Sequence, residues 1–403
     1  MTKTPKALRS IDVRALAKDL NALRDELKQD MGQEDLTHLK RMMRWGRACS
    51  VAGYATAWLA PNPISAWLIA QGNFTRWAMI GHHVIHRGYD KIPDVPKHLT
   101  SKGFAKGWRR FTEWFDWMDP EAWNQEHNFL HHYKLGEEHD PDQPEENLEF
   151  LRDSPIPQLL RYPVVAFFAM TWKPLYYAPN TILELRKVRQ RRDKQPVEKF
   201  WLFDWRVWQP FVNPGREIWL KCWGPYILFY FVALPLLFLP LGPWFAASMF
   251  INRLMAEVIA NVYSFLVIVP NHAGDDVYRF DDAIENRDEF YLRQIVGSVN
   301  YTCGGDFNDF LHGWLNYQIE HHLWPDLSMR QYQRAHPRVK AICAKHGVPF
   351  VQESVFKRAK KLVDVMVGRT SMMWWDTESN TPQDARHIAS PPEAAVAAAQ
   401  PVS

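Results

Sequence analysis

At 403 residues the chain has room for two or three soluble domains, yet its apolar residues gather into a few long stretches, which argues for one membrane-embedded unit. Its mean hydropathy of −0.36 is low for a polytopic protein, so a few spans must be joined to a large polar portion; the 19 Trp and 14 Tyr suit the boundary between lipid and water. A net charge of +3, with no basic-aromatic RNA motif and no DNA-reading helix, gives no support to nucleic-acid binding, and four scattered cysteines without a CxxC argue against a disulfide framework or a zinc knuckle.

Residues 1–44 are charged and helix-forming over 13–27 and 36–45, so no cleavable signal peptide is expected and this start should stay in the cytoplasm. Arg41, Arg44 and Arg47 lead into a first apolar stretch, 48–60, which Pro61-Asn62-Pro63 breaks before a second, 64–80. Both are short against the ~20 residues of a full span, and Arg76 interrupts the second, but as a hairpin they return the chain to the cytoplasmic face. Residues 87–155 are polar, acidic and aromatic, with a helix expected over 121–133. The stretch 159–179 is apolar but holds Arg161 and Lys173. Crossing would put the basic run 186–194 outside, so this stretch is expected in the interface plane. Residues 218–241 and 243–270 read as two full spans turned at Leu239-Pro240-Leu241-Gly242-Pro243, and the chain is polar again from 273 to about 370. The expected fold is all-α and polytopic, with about four transmembrane helices and a cytosolic helical cap. A cytosolic N-terminal segment would cover 1–45, the membrane domain 46–372 and a disordered tail 373–403. Both termini are expected on the cytoplasmic side.

Three histidine clusters then fall on that one side: His82 with His86, His127 with His131 and His132, and His321 with His322 behind Gln318. Helical residues four apart stand roughly 5–6 Å from each other at Cβ, so each cluster can aim several ring nitrogens at one point. One HxxxH pair means little among 16 histidines, but three clusters just outside apolar segments suit a metal better than packing. HHVIH lacks the glutamate of HExxH, which removes the general base of a metalloprotease. Four ligands satisfy a structural zinc, and more than four candidates converge here, so two metals fit better. Imidazole does not choose among iron, zinc, copper and nickel. A centre at the mouth of a membrane bundle faces an alkyl chain, whose unactivated C–H bonds need an oxidant; zinc cannot supply one and iron with dioxygen can.

HHVIH, HNFLHH and above all NYQIEHHLWP resemble the three histidine boxes of the membrane fatty-acid desaturases, with Gln in the third box as in their front-end, acyl-lipid branch. The likeness runs roughly from residue 70 to 350 and includes Pro270-Asn271-His272, Thr302-Cys303, Asp306-Phe307-Asn308-Asp309-Phe310, Gly313, Pro337, Cys343 and Lys345-His346-Gly347. The resemblance implies a non-haem di-iron site held by His82, His86, His127, His131, His132, His321 and His322, with His272 as an eighth imidazole and Gln318 at or near the metal. It implies an oxygen-dependent removal of two hydrogens from an acyl chain, leaving a cis double bond, with two electrons from outside. The substrate would be a fatty-acyl lipid, acyl-CoA or acyl carrier. No HPGG signature of a fused cytochrome b5 domain is present, so a separate donor of ferredoxin or cytochrome b5 type is expected. A hydroxylase of the same box architecture, or a zinc-dependent membrane hydrolase, would be the alternatives.

The sequence also departs from the family's usual boxes. His83 stands where an Asp often follows the first histidine, the second box has three intervening residues, and Trp324 replaces the usual Phe. His83 and His312 are expected to stand outside the metal set, and His139 in a solvated acidic loop. Glu126, Glu320, Asp306 and Asp309 are candidates to accept the far N–H of ligand imidazoles, and Asn271 to be either a helix cap or a metal partner.

Overall fold

The computed structural model describes residues 11–138, 140–280, 283–284, 287–376 and 381–384. His139 and the tail beyond 384 lie outside the described residues.

Helix α1 (Val13–Gln29) starts where Asp12 Oδ1 accepts the backbone N–H groups of Arg14 and Ala15 at 3.1 and 3.0 Å. Its Leu16, Leu20, Leu23 and Leu27 recur at helical spacing and are buried. Helix α2 (Gln33–Ala57) is continuous, joining the expected cytosolic helix to the first apolar stretch. Asn62 Oδ1 caps α3 (Pro63–Phe74) by accepting from Ser65 N at 2.7 Å. The α2–α3 pair packs closely because glycines leave room: a Cβ on Gly53 would stand 2.8 Å from Ile69 Cγ1, and one on Gly46 would collide with Thr75.

Two described helices are long and apolar enough to cross a membrane, Gly215–Leu241 and Pro243–Asn271, and they match the two strongest predicted spans. The second packs along α3 and along the helix Gln158–Trp172. Asn252 fastens it to the α2–α3 turn, accepting Asn62 N–H at 2.9 Å and donating to the carbonyls of Ala57 and Ala60 at 2.6 and 2.8 Å. Lys173 explains how a cation sits in an apolar stretch: it is buried, with Nζ 2.7 Å from Asp116 Oδ2 and 4.7 Å from the centre of the Trp77 ring. Past it the chain remains helical to Arg192. The outward faces carry exposed Val51, Ile64, Leu159, Phe167, Leu220 and Leu237.

At the polar end, α1 and α2 lie against the helix Met329–His346, joined by ion pairs Arg338–Glu26, Arg334–Asp30 and Arg330–Glu34. Met373–Asp376 (β2) is a strand, parallel to β1 (Tyr278–Phe280) and antiparallel to β3 (Thr381–Asp384). Arg279 lies 4.2 Å from the Trp374 ring centre, which gives this small sheet a contact that tail composition did not reveal.

Candidate metal centre

Each box is carried by a short helical piece of unusual winding. The chain enters the first box through a π-helical stretch, Thr75–Gly81, before the single α-turn His82–Ile85. Gly81 is needed here, for a Cβ would lie 2.5 Å from the Trp114 ring. Arg87, at φ 68°, ends the turn. The second box follows a helix start at Pro120, where Asp119 Oδ1 accepts from Glu121 N and Ala122 N, both at 3.1 Å. It then winds as a π-helix over Asn124–His131, closed by His132 N–H donating to His127 O at 3.1 Å. The third box is the helix Gln318–Leu323.

This winding changes the expected pairing. In an α-helix His127 would stand over His131; in the wider π-turn it also stands over His132, five residues on. The ligand atoms of His82, His86, His127, His132 and His321 lie within 4.8 Å of one another as a first group, and those of His131, His272 and His322 as a second. Each adjacent pair therefore divides, with His132 and His321 in the first group and His131 and His322 in the second. His127 and His131 also form a set with Asp142. Gln318 Nε2 lies 2.8 Å from His272 Nε2, beside the second group, and Asn271 Nδ2 donates to Gln318 Oε1 at 3.3 Å. The same Asn271 amide donates to the carbonyls of Val267 and Leu315 at 3.1 and 3.0 Å, so it caps a helix and positions Gln318 at once.

The donor set fits metal ions. Nε2 of His86 and of His322, both ring nitrogens of His127 and of His132, and Nδ1 of His272 are buried without a hydrogen-bond partner. Such a concentration of lone pairs and N–H groups is costly unless a cation gathers them. Nε2 of His82 and of His321 approach to 2.8 Å, as two nitrogens converging on one point do. Burial first, then mutual repulsion of neighbouring imidazoles, holds His82, His86, His127, His132, His321 and His322 well below the usual imidazole range, so they are neutral and able to donate. His272 is lowered by burial and by His131. His131 goes the other way: burial lowers it, but Asp140 and Asp142 outweigh that.

The far nitrogens are held by residues the sequence did not single out. Nδ1 of His131 donates to Asp140 Oδ1 at 2.8 Å, Nδ1 of His322 to Gln294 Oε1 at 2.9 Å, and Nδ1 of His321 to the Tyr332 hydroxyl at 3.2 Å. Each bond leaves Nε2 as the lone-pair nitrogen. The four carboxylates expected in this role bind elsewhere. Glu320 bonds Asn300 and His336, Asp309 bonds Tyr317 and Asn316, Asp306 pairs with Arg41, and Glu126 takes the Tyr177 hydroxyl at 3.4 Å. Only Asp140, in the Asp140-Pro141-Asp142 run behind the second box, had a sequence signal to offer. His83 bonds the Met79 carbonyl at 2.6 Å and His312 that of Asn308 at 2.9 Å; neither joins a group.

A largely apolar cavity adjoins both groups. His82, His131, His272 and Gln318 form its polar end, and Leu148, Phe168, Trp172, Ile268 and Met366 form apolar walls.

The profile of the family described as fatty acid desaturase matches residues 56–354. An NADPH-dependent stearoyl-CoA 9-desaturase of Mycobacterium tuberculosis is 26% identical over 365 residues, covering 86% of this chain and 77% of that protein. An acyl-lipid (9-3)-desaturase of Physcomitrium patens is 35% identical over 101 residues, 25% of this chain and 18% of the relative. A fatty acid desaturase 3 of Bos taurus is 52% identical over 52 residues, 12% of each chain. Box spacing, convergent imidazoles and a match over most of its length agree: the chain belongs to the fatty acid desaturase family.

Proposed function

We propose that this enzyme converts a saturated segment of a fatty-acyl chain to a cis double bond, consuming one O2, two protons and two electrons per bond and releasing two waters. The observation that carries the reading is the junction of two histidine groups with one apolar cavity. His82, His86, His127, His132 and His321 would hold one iron, and His131, His272 and His322, with Gln318 beside them, a second. A di-iron pair bound there supplies, with dioxygen, the oxidising power that breaking an unactivated C–H bond demands.

The chain's own residues do the rest. Phe168, Trp172 and Ile268 confine an alkyl chain by contact alone and keep water from it. Asp140, Gln294 and Tyr332 fix imidazole tautomers, so that ring positions do not drift as charge changes beside them. Asn271 orients the Gln318 amide. The electrons come from a separate carrier; the name of the mycobacterial relative makes NADPH the natural source of reducing equivalents.

We place the enzyme in the membrane with four crossings: α2 and α3 as a hairpin, then Gly215–Leu241 and Pro243–Asn271, with Gln158–Trp172 in the interface plane. Both termini and every histidine box then face the cytoplasm. Expression in a host without desaturases, followed by gas chromatography of total fatty acids, tests the reaction. A new monounsaturated species, absent without oxygen, is expected, whereas a hydroxylated acyl chain as the main product would overturn it.

A further inference from the structure

One basic groove lies away from the histidine site. Lys40, Arg44 and Arg47 share one face of α2, at i, i+4 and i+7, and line a groove with His98, over a floor that includes Met43 and Leu99. No carboxylate is among the lining residues. Among the described residues none of the three cations makes an ion pair, although Arg41 on the neighbouring face pairs with Asp306. Three exposed cations left without counter-charge, around an apolar floor, make a receptor for an anion that brings apolar substance with it.

The same helix face says where that anion comes from. One turn beyond Arg47 stands Val51, 69% exposed, and a further turn on Ala55 is exposed as well. A single helix face thus passes from basic to apolar within one turn, the profile of a surface that meets headgroups at one level and acyl chains at the next.

We propose that this groove binds the phosphate of an anionic glycerophospholipid, with Lys40, Arg44, Arg47 and His98 around the headgroup and Met43 and Leu99 against its glycerol end. The inference takes the membrane placement proposed above as given. Failure of that placement would show as a chain soluble without detergent; failure of the site alone would leave it detergent-dependent and indifferent to headgroup charge.

The test uses the full chain purified in a neutral detergent, titrated with short-chain phosphatidylglycerol or phosphatidylcholine while the thermal unfolding midpoint is followed. Phosphatidylglycerol is expected to raise the midpoint saturably at concentrations where phosphatidylcholine does not. The combined Lys40→Gln, Arg44→Gln, Arg47→Gln variant should weaken that response about 100-fold. Arg44→Lys, which keeps the charge, should retain most of it, and Arg192→Gln on a distant helix should change nothing. Equal responses to the two lipids would overturn the proposal, as would an unchanged response in the triple variant. Inorganic phosphate raising the midpoint as effectively as the lipid would also overturn it, in favour of a soluble phosphate ligand. Should the triple variant not fold, Arg47→Gln alone, expected to weaken the response about fivefold, decides the question.

Discussion

Nδ1 of His131 lies 2.8 Å from Oδ1 of Asp140, and both residues are buried. The carboxylate also accepts the N–H of Gly136 at 2.8 Å through its other oxygen, so it is fixed from two sides. Asp140→Asn is therefore expected to leave the fold intact and lower activity or iron affinity roughly 10- to 100-fold. Iron content of the purified variant and its rate, measured together, check this; wild-type values in both would show that His131 needs no such partner.

Replacing a group member should cost more than replacing its support. His322→Ala, His131→Ala and His272→Ala should each reduce activity by roughly 100-fold or more and lower iron content, with the chain still inserted. His83→Ala should keep substantial activity, since His83 reaches only the Met79 carbonyl. Full iron and full activity in His322→Ala would remove the third box from the site.

Gln318 offers a weaker donor than imidazole beside His272. Gln318→His should retain metal and change turnover, and Gln318→Ala should reduce activity without emptying the site as His322→Ala does. If Gln318→Ala matches wild type in iron and rate, the amide serves only packing.

Acidification should destabilise the metal-free enzyme. Apart from His131, the seven imidazoles of the two groups are held below their ordinary value of 6.5, so between that value and their folded one the unfolded chain binds more protons. Their contribution is complete above pH 6.5 and is lost as pH falls from there; His131, raised by its carboxylates, has the opposite sign and offsets one part. The unfolding midpoint of chelator-treated protein should be level above pH 7 and fall steeply below 6.5, and iron should flatten that fall. A midpoint unchanged down to pH 5 would contradict the buried, neutral state of the set.

The cavity wall should set which chains fit. Leu148→Trp and Met366→Trp add bulk to its apolar wall, so they are expected to shift products toward shorter chains while iron content stays constant. An unaltered chain-length profile in both variants would mean that the acyl chain lies elsewhere.

The histidine clusters and the two long apolar helices were legible because both are written in local patterns: imidazoles in tight clusters and runs of some twenty apolar residues. The sequence did not disclose how the histidines divide. For His131 and His132 that depends on the π-turn at Asn124–His131, whose extra residue per turn leaves no mark in an HxxxHH spacing read as an α-helix. Gln294 and Tyr332 were equally invisible, since the first lies 28 residues before His322 and the second 11 after His321. The choice of Asp140 over Glu126, Glu320, Asp306 or Asp309 is likewise a matter of tertiary reach, because all five carry the same group. The partner of Lys173 was hidden for the same reason, since Asp116 stands 57 residues earlier.

The divided pairs His131-His132 and His321-His322 have one further consequence. Each links the two groups through a single peptide unit, whose length does not vary. The interval between the groups is thus gauged twice by covalent geometry, independently of how tightly the helices around them happen to pack. Breathing of the bundle to admit a long chain can tilt or carry the pair of groups as one body, but it has little purchase on the gap that separates them.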